Sequence, residues 1–510
     1  MTRFNVFLLG FSFLVSKVLG LLRDNLLASG FGASTGVGIF NLDTYYAAFR
    51  LPDLLFNLLS YGILSAAFVP LFVEALKREG KPQAFKFANE ILHLVGIIIL
   101  AISGILFIFA PQFVQLFVPG FSAQDVKVTA DITRIMLLTP FFFTIGSVAG
   151  GMQNAFNKFL GMSLAPILYN LGIIGGVVFL SKQYGVYGIA IGVSAGAFLN
   201  MLVLLPGIYK AGFAYFMPKI WWTSRVKEMI TLSLPRIFGM SVSQLALVVD
   251  TIIASTLPLG SITIINFAIN LGSLPMGLIG TSVAIVSFGT LSSKAAEGRF
   301  DDFTNELRSS IRQILFLLIP LVCGMWMLKM EAVRLLLVRG KFTISDALIT
   351  ADTLGILLGG LAFGGVIFIL ARAFYALKNT KTPVIISIIA VVLNIVFSLI
   401  FSKLFSLATL GLALANAISN VTNATLLVVM LQKKLKSGIL DGVEILKAII
   451  GGIVMSIAVW GSKLAFIKIF TDVESYGKLA AQTAASVIIG ALAYFLICRL
   501  LKCKELKKLM

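Results

Sequence analysis

The sequence predicts an all-α integral membrane protein of about fourteen transmembrane helices, built as two parallel six-helix repeats plus two C-terminal helices. Three observations carry this expectation. Of the 510 residues, 58% are hydrophobic and only 12% charged, with a mean hydropathy of +1.00, whereas a globular domain carries roughly 25% charged residues. The apolar residues gather into long runs separated by short polar connections. The runs also repeat, at an offset of about 225 residues.

A helix needs about 20 apolar residues to cross the hydrocarbon. By that measure the spans fall at 4–28, 40–74, 86–111, 128–155, 162–181, 186–208, 228–256, 262–292, 308–336, 347–376, 382–402, 408–431, 444–467 and 476–500. The first contains Lys17 and Arg23 and lacks a small-x-small cleavage site, so it reads as a span and not as a cleaved signal. The second and eighth carry Pro52 and Pro275, where the long helix is expected to tilt or break. Fourteen spans consume about 280 residues, and the remaining connections are too short for a soluble domain.

The duplication rests on three ordered matches. Asp24-Asn25-Leu26-Leu27-Ala28-Ser29 pairs with Asp250-Thr251-Ile252-Ile253-Ala254-Ser255, Leu51-Pro52 with Leu274-Pro275, and Gly188-Ile189-Ala190-Ile191 with Gly411-Leu412-Ala413-Leu414. An even number of spans per repeat makes both halves enter from the same side, so they relate by an axis along the membrane normal. The expected organisation is therefore an N-terminal lobe at 1–222, a C-terminal lobe at 223–437, and a helix pair with a basic tail at 438–510.

The formal charge of +19 invites a nucleic-acid reading, but the charges sit in connections between apolar runs and form no basic face of a soluble domain. Their sidedness is more informative. With the N-terminus inside, the inner connections hold Lys77, Arg78, Lys81 and Lys86, then Lys210, Lys219, Arg225 and Lys227, then Lys433, Lys434 and Lys436, and finally the tail with Lys502, Lys504, Lys507 and Lys508. The opposite connections are poorer in cations. Both termini are thus expected in the cytoplasm, with the chain in a bacterial cytoplasmic membrane. The cysteines Cys323, Cys498 and Cys503 are too few for a secreted disulfide framework and read as packing residues.

Charge inside a span costs about 2.5 to 3.5 kcal/mol at the bilayer centre, so such residues face protein or water. Glu90, Asp131 and Arg134 stand near span ends, where reaching the interface accounts for them. Lys17, Arg23 and Asp24 lie deeper. Lys17 and Asp24 are two helical turns apart and share a face, with Arg23 about 100° away from Asp24. Asp24 is placed to hold Arg23 or Lys17, leaving a net positive surface suited to an anionic substrate, and arginine can clamp diphosphate oxygens in bidentate fashion. Asp250 has no basic neighbour along its own stretch, Arg236 and Lys294 being the nearest cations, so it needs a partner from another helix. Asn394, Ser398 and Asn416 offer oxygens that, with Asp250, form a set a hard cation such as sodium accepts. A plain polar contact between helices is the equal alternative. His93, the only histidine, reads as a packing or interfacial residue. No catalytic triad, phosphate-cradling loop or cysteine cluster is present in the sequence, which leaves an enzyme reading little support.

Longer motifs bear a family resemblance. They are Ser16-Lys17-Val18-Leu19-Gly20-Leu21-Leu22-Arg23-Asp24, Arg50-Leu51-Pro52-Asp53-Leu54-Leu55, Asn154-Ala155-Phe156-Asn157-Lys158-Phe159, Arg339-Gly340-Lys341-Phe342-Thr343, and Arg372-Ala373-Phe374-Tyr375-Ala376-Leu377-Lys378-Asn379-Thr380-Lys381-Thr382-Pro383. In this order, over nearly the whole chain, they resemble the MurJ/MviN lipid II flippases of the multidrug/oligosaccharidyl-lipid/polysaccharide exporter superfamily. The resemblance implies two six-helix lobes around a cationic cavity, and a groove beside the last two helices for a polyprenyl tail. It implies substrate roles for Arg23, Asp24, Lys17 and Asp43, and a sodium site at Asp250, Asn394, Ser398, Asn416 and the Leu412 carbonyl. This chain departs from the family at Phe56-Asn57 and Ile269-Asn270, which stand where arginines are usual, and at Tyr61, which stands where a glutamate is usual. Arg50 and Arg236 are the candidates to restore the missing charge, with Asn270 left at one of the vacated positions.

The expected activity is translocation of the lipid-linked peptidoglycan precursor between leaflets by alternating access, with no chemistry on the cargo. The expected partners are a polyprenyl-diphosphate-linked glycopeptide, membrane lipid and cell-wall synthesis proteins, with no nucleic acid. Sodium or the membrane potential is the expected coupling, and no other cofactor. The rival readings are a flippase for another polyprenyl-diphosphate-linked glycan and a non-transporting cell-wall scaffold.

Overall fold

The computed structural model describes residues 3–36, 38–61, 64–469 and 475–509. Among them the chain is all helical, as the apolar periodicity predicts. In chain order the helices are α1 Arg3–Phe31, α2 Leu42–Ala48, α3 Arg50–Leu55, α4 Val69–Arg78, α5 Lys81–Ile108, α6 Ala110–Phe117 and α7 Ala123–Met136. There follow α8 Thr139–Ala155, α9 Leu160–Gly175, α10 Ser181–Tyr184, α11 Val186–Tyr209, α12 Ser224–Ser255, α13 Ser261–Ala296 and α14 Phe300–Met327. The last are α15 Lys329–Leu337, α16 Ile344–Ala376, α17 Lys381–Leu399, α18 Ala408–Leu435, α19 Gly442–Ile469, α20 Tyr476–Leu500 and α21 Lys504–Leu509.

Among the described residues, ten helical stretches are long and apolar enough to cross a membrane. They occupy the third to sixth and ninth to fourteenth expected spans. The first, seventh and eighth expected spans form α1, α12 and α13, of 29, 32 and 36 residues. The second expected span is broken, as its proline led one to expect: α2 and α3 meet at Phe49, and wider π-type turns at Phe56–Tyr61 and Leu64–Phe68 precede α4. The eighth behaves otherwise. Pro275 is accommodated inside one helix, α13. The ninth is displaced from the expected 308–336: α14 begins at Phe300 and stops at Met327, and α15 restarts at Lys329.

By density of contacts the chain divides into two compact units, residues 1–263 with 339–343, and residues 264–338 with 344–510. This is a different quantity from the repeat limits at 222 and 437, which follow sequence symmetry. The core of the first unit gathers Phe68, Phe72, Phe87, Ile91, Met152 and Met229 between α4, α5, α8 and α12. In the second, Phe303, Ile311, Leu318, Ile369, Phe374 and Leu431 pack α14 against α16 and α18, and a smaller cluster around Met455, Val459, Tyr494 and Cys498 docks α19 and α20.

Helices α9 and α11 approach so closely that glycine is required on both. A Cβ on Gly192 would lie 2.7 Å from the Gly176 Cα and 2.8 Å from the Gly172 carbonyl oxygen, and one on Gly172 would overlap Gly196. In a bilayer, where lipid is as apolar as leucine, such backbone approach supplies much of the association. Gly192→Leu should force the helices apart and destabilise the protein by about 3 kcal/mol, the upper range for overpacking. An unchanged thermal midpoint of the purified variant would contradict this account.

The C-terminal tail is tied down by charge. The Arg312 guanidinium meets Glu505 at 2.5 Å and Asp441 at 3.3 Å, while Lys504 Nζ donates to Asp441 at 3.1 Å and its backbone N–H donates to Glu444. Burial alone would raise the Asp441 carboxyl, but hydrogen bonds from Lys504 and Arg312 outweigh it and hold the group below its ordinary value. Its contribution is therefore complete above the unfolded value of about 3.9 and is lost as pH falls through the lower folded value. Amide exchange of residues 504–506, corrected for intrinsic rate, should stay slow at neutral pH and accelerate in acid below that range.

Candidate functional site

The charged residues of α1 are organised by one neighbour along the helix and one across it. Arg23 donates from Nε and Nη2 to Asp24 Oδ1 at 3.0 and 2.8 Å, and from Nη1 to Asn170 Oδ1 of α9 at 3.4 Å. Asn170 in turn donates to the Ser16 hydroxyl and carbonyl and to the Pro166 carbonyl, at 3.1 to 3.3 Å. Asp24 is buried, and the Arg23 side chain retains 22% of its surface. The guanidinium is thus preorganised yet reachable. Lys17 is half-buried and rests its ammonium over the Phe13 ring at 5.5 Å, so of the two candidate partners it is Arg23 that Asp24 holds.

The break in the second expected span aims Arg50 at α12. Its Nε donates to Thr251 Oγ1 at 2.6 Å, and Asp53 and Asp250 both act on it electrostatically. Asp250 thus lies within electrostatic reach of Arg50, a cation some 200 residues away in the chain that no local reading finds. Aromatic side chains adjoin these charges. Tyr45 packs edge-on to Tyr46 and Phe49 at 5.2 and 5.0 Å, and Tyr169 packs on Phe143, which also meets Phe56 at 5.2 Å. Phe56, at a position where the resembling family usually has arginine, therefore belongs to an aromatic wall. The first unit thus joins Arg23 to Asp24 and Asn170, and Arg50 to Thr251 with Asp53 and Asp250 in electrostatic reach, while Lys17 rests on Phe13.

Asp43 serves a different purpose. Its Oδ2 accepts from the Gly260 N–H at 2.8 Å, and its Oδ1 accepts from the Thr263 N–H and hydroxyl at 2.8 and 2.6 Å. A carboxylate buried at the start of α2 thereby caps the N-terminus of α13 from a distance, meeting orphan donors and the positive end of the helix dipole together. Its own position is fixed by Asn41, whose side chain accepts from the Asp43 N–H. The side chains of Arg236 and Tyr61 lie outside the described residues. Asn270 is half-buried on α13 in the second unit.

Of the oxygens considered for sodium, Asp250 belongs to the first unit and Asn394, Ser398, Leu412 and Asn416 to the second. Asn394 and Ser398 are one turn apart on α17 and buried, and the Ser398 hydroxyl has no hydrogen-bond partner. Asn416 accepts from Asn420 at 3.1 Å. A buried hydroxyl without a partner costs free energy, and within the second unit Ser398 carries that cost on α17. Glu90, Asp131, Arg134 and His93 have partners of their own. Arg134 pairs with Asp131 at 2.8 Å, the Thr223 hydroxyl donates to Glu90 at 2.8 Å, and His93 stacks on Tyr215 while its Nδ1 donates to the Asn89 carbonyl.

Comparisons with known proteins agree with one another. The family model described as lipid II flippase MurJ matches residues 27–496. The probable lipid II flippase MurJ of Haemophilus influenzae is 30% identical over 88% of this chain and 90% of its own length, and that of Vibrio cholerae is 32% identical over 81% and 80%. A solved structure of lipid II flippase MurJ in an inward closed conformation superposes with a TM-score of 0.80 at 28% identity, covering 97% of this chain and 98% of that one. A multidrug resistance MATE family transporter of the MOP superfamily, inward-facing, shares the fold at 15% identity with a TM-score of 0.69 over 82% and 94% of the two chains. The matched family is one of transporters and not of enzymes, and its members cross the membrane many times. With the family matched across most of its length and the helical fold shared with a solved member, this chain belongs to the lipid II flippase MurJ family.

Proposed function

We propose that this protein translocates lipid II, the lipid-linked peptidoglycan precursor, across the bacterial cytoplasmic membrane by alternating access, with both termini in the cytoplasm. The observation that carries the reading is the Arg23 guanidinium, anchored by Asp24 and Asn170 and still partly accessible. A diphosphate needs such a fixed cation, because bidentate geometry adds orientation to charge. Arg50 is the second cation of the proposed head-group site, poised by Thr251. Lys17 supplies charge on the same helix, and Asp43 holds the helix framework.

Coupling to the membrane potential, worth about 2.3 kcal/mol per charge at 100 mV, or to sodium bound at the α17–α18 oxygens, belongs to this proposal. So does association with the cell-wall synthesis machinery that consumes the cargo. A second reading, transport of another polyprenyl-diphosphate-linked glycan, is favoured by the aromatic wall at Phe56. Complementation separates the two. In a bacterium depleted of its own lipid II flippase, expression of this chain should restore growth and the appearance of lipid II in the outer leaflet. Membrane-inserted protein that fails to do so overturns the lipid II reading in favour of the other glycan.

A further inference from the structure

A cavity of about 660 Å³ lies wholly within the second unit, between α16 and α18, apart from the charged cluster of α1. Gly355 and Gly359, one turn apart on α16, form its floor, and Leu410, Leu414 and Ala417 of α18 form its wall. No atom lies within 4 Å of the place a Gly359 Cβ would occupy, so the missing side chain leaves open room. A Cβ on Gly355 would stand 3.0 Å from Lys329 Cδ and 3.1 Å from its Nζ. Glycine there lets the lysine lie across α16.

The mouth is as specific as the floor is plain. Lys329 Nζ pairs with Asp352 at 2.7 Å and sits 5.8 Å from the Trp326 ring. Trp326 and Asp352 are both more than half exposed, at 52% and 56%, so this end is open to the surroundings. Along α14, Trp326 is about 21 Å from Arg312, the residue that anchors the C-terminal tail. Mouth and tail therefore sit near opposite faces of the bilayer. An indole beside a lysine at the end of a membrane-spanning helix is characteristic of the head-group level.

An apolar slot between membrane helices, opening at that level, suits a hydrocarbon chain, and the ion pair selects the head group. A singly anionic phospholipid would satisfy Lys329 but bring its negative charge beside Asp352. A zwitterionic aminophospholipid satisfies both. We propose that the groove between α16 and α18 binds one phospholipid of the ethanolamine class, its acyl chain over Gly355 and Gly359, its phosphate on Lys329 and its ammonium on Asp352.

The test is native mass spectrometry of the full chain released from bilayers containing equal phosphatidylethanolamine and phosphatidylglycerol. Wild type should retain one phosphatidylethanolamine in about tenfold preference over phosphatidylglycerol, the scale of one charge-assisted contact. Asp352→Asn should shift the preference toward phosphatidylglycerol. Lys329→Gln should lower retention of both, and Gly359→Trp, which fills the slot, should abolish it. Equal retention of the two lipids by wild type, or retention unaffected by Gly359→Trp, overturns the proposal. Should Gly359→Trp fail to fold, Asp352→Asn at its exposed position decides alone, and an unchanged lipid preference overturns the proposal.

Discussion

Arg23→Ala is expected to abolish rescue of a flippase-depleted bacterium at matched membrane levels, with transport reduced about 100-fold or more. Hydrogen bonds to a charged group are worth about 1.5 to 3 kcal/mol each, and a guanidinium offers two to a diphosphate. The single substitution also takes from Asp24, which is buried, both Arg23 contacts on its Oδ1. Breaking a buried ion pair by removing one partner costs about 3 to 5 kcal/mol in its own right, so loss of folding imitates loss of transport. Arg23→Ala with Asp24→Asn removes that cost. If the double variant melts like wild type and still fails to transport, the guanidinium acts on the cargo. Recovery of transport in the double variant would reduce Arg23 to the partner of Asp24. Arg23→Lys should retain charge but lose the fork that reaches Asp24 and Asn170 together, giving partial activity.

Asp43→Ala should lower stability by about 3 kcal/mol or more. It orphans the Gly260 and Thr263 amides and the Thr263 hydroxyl in a buried setting, and each unmet group costs about 1 to 3 kcal/mol. Asp43→Asn keeps one acceptor oxygen without the charge and should fall between. The thermal midpoints should follow the order wild type, Asn, Ala. The same pair of variants separates capping from a role toward the cargo. Transport that tracks the midpoint assigns Asp43 to the framework alone, whereas loss of transport in a stable Asp43→Asn protein adds a contact with substrate.

Much of the architecture was legible in the sequence because the bilayer imposes it. Only helices satisfy their own backbone over a long apolar run in lipid, so runs such as 382–402 and 408–431 emerge as α17 and α18 with small shifts at the ends. The charged face of α1 was legible for the same reason, since lysine, arginine and aspartate stand out against leucine. Helix breaks were less so. Pro52 lies in a broken segment and Pro275 in a continuous helix, and the identity of the residue is the same in both. What differs is position: Pro52 falls in the first turn of α3, where its missing N–H leaves no intrahelical bond unmade, and Pro275 falls in the interior of α13.

The sequence by itself determined that this protein is helical, membrane-embedded and armed with cations in its first span. These follow from composition, periodicity and spacing, which are properties of the chain. Only the tertiary structure decided the partners. It chose Asp24 and Asn170 for Arg23, gave Arg50 to Thr251 and Asp250, and assigned Asp43 to the N-terminus of α13. The physical reason is that a buried charge is bound to find compensation within a few ångströms of space, and distance along the chain puts no limit on where that compensation comes from.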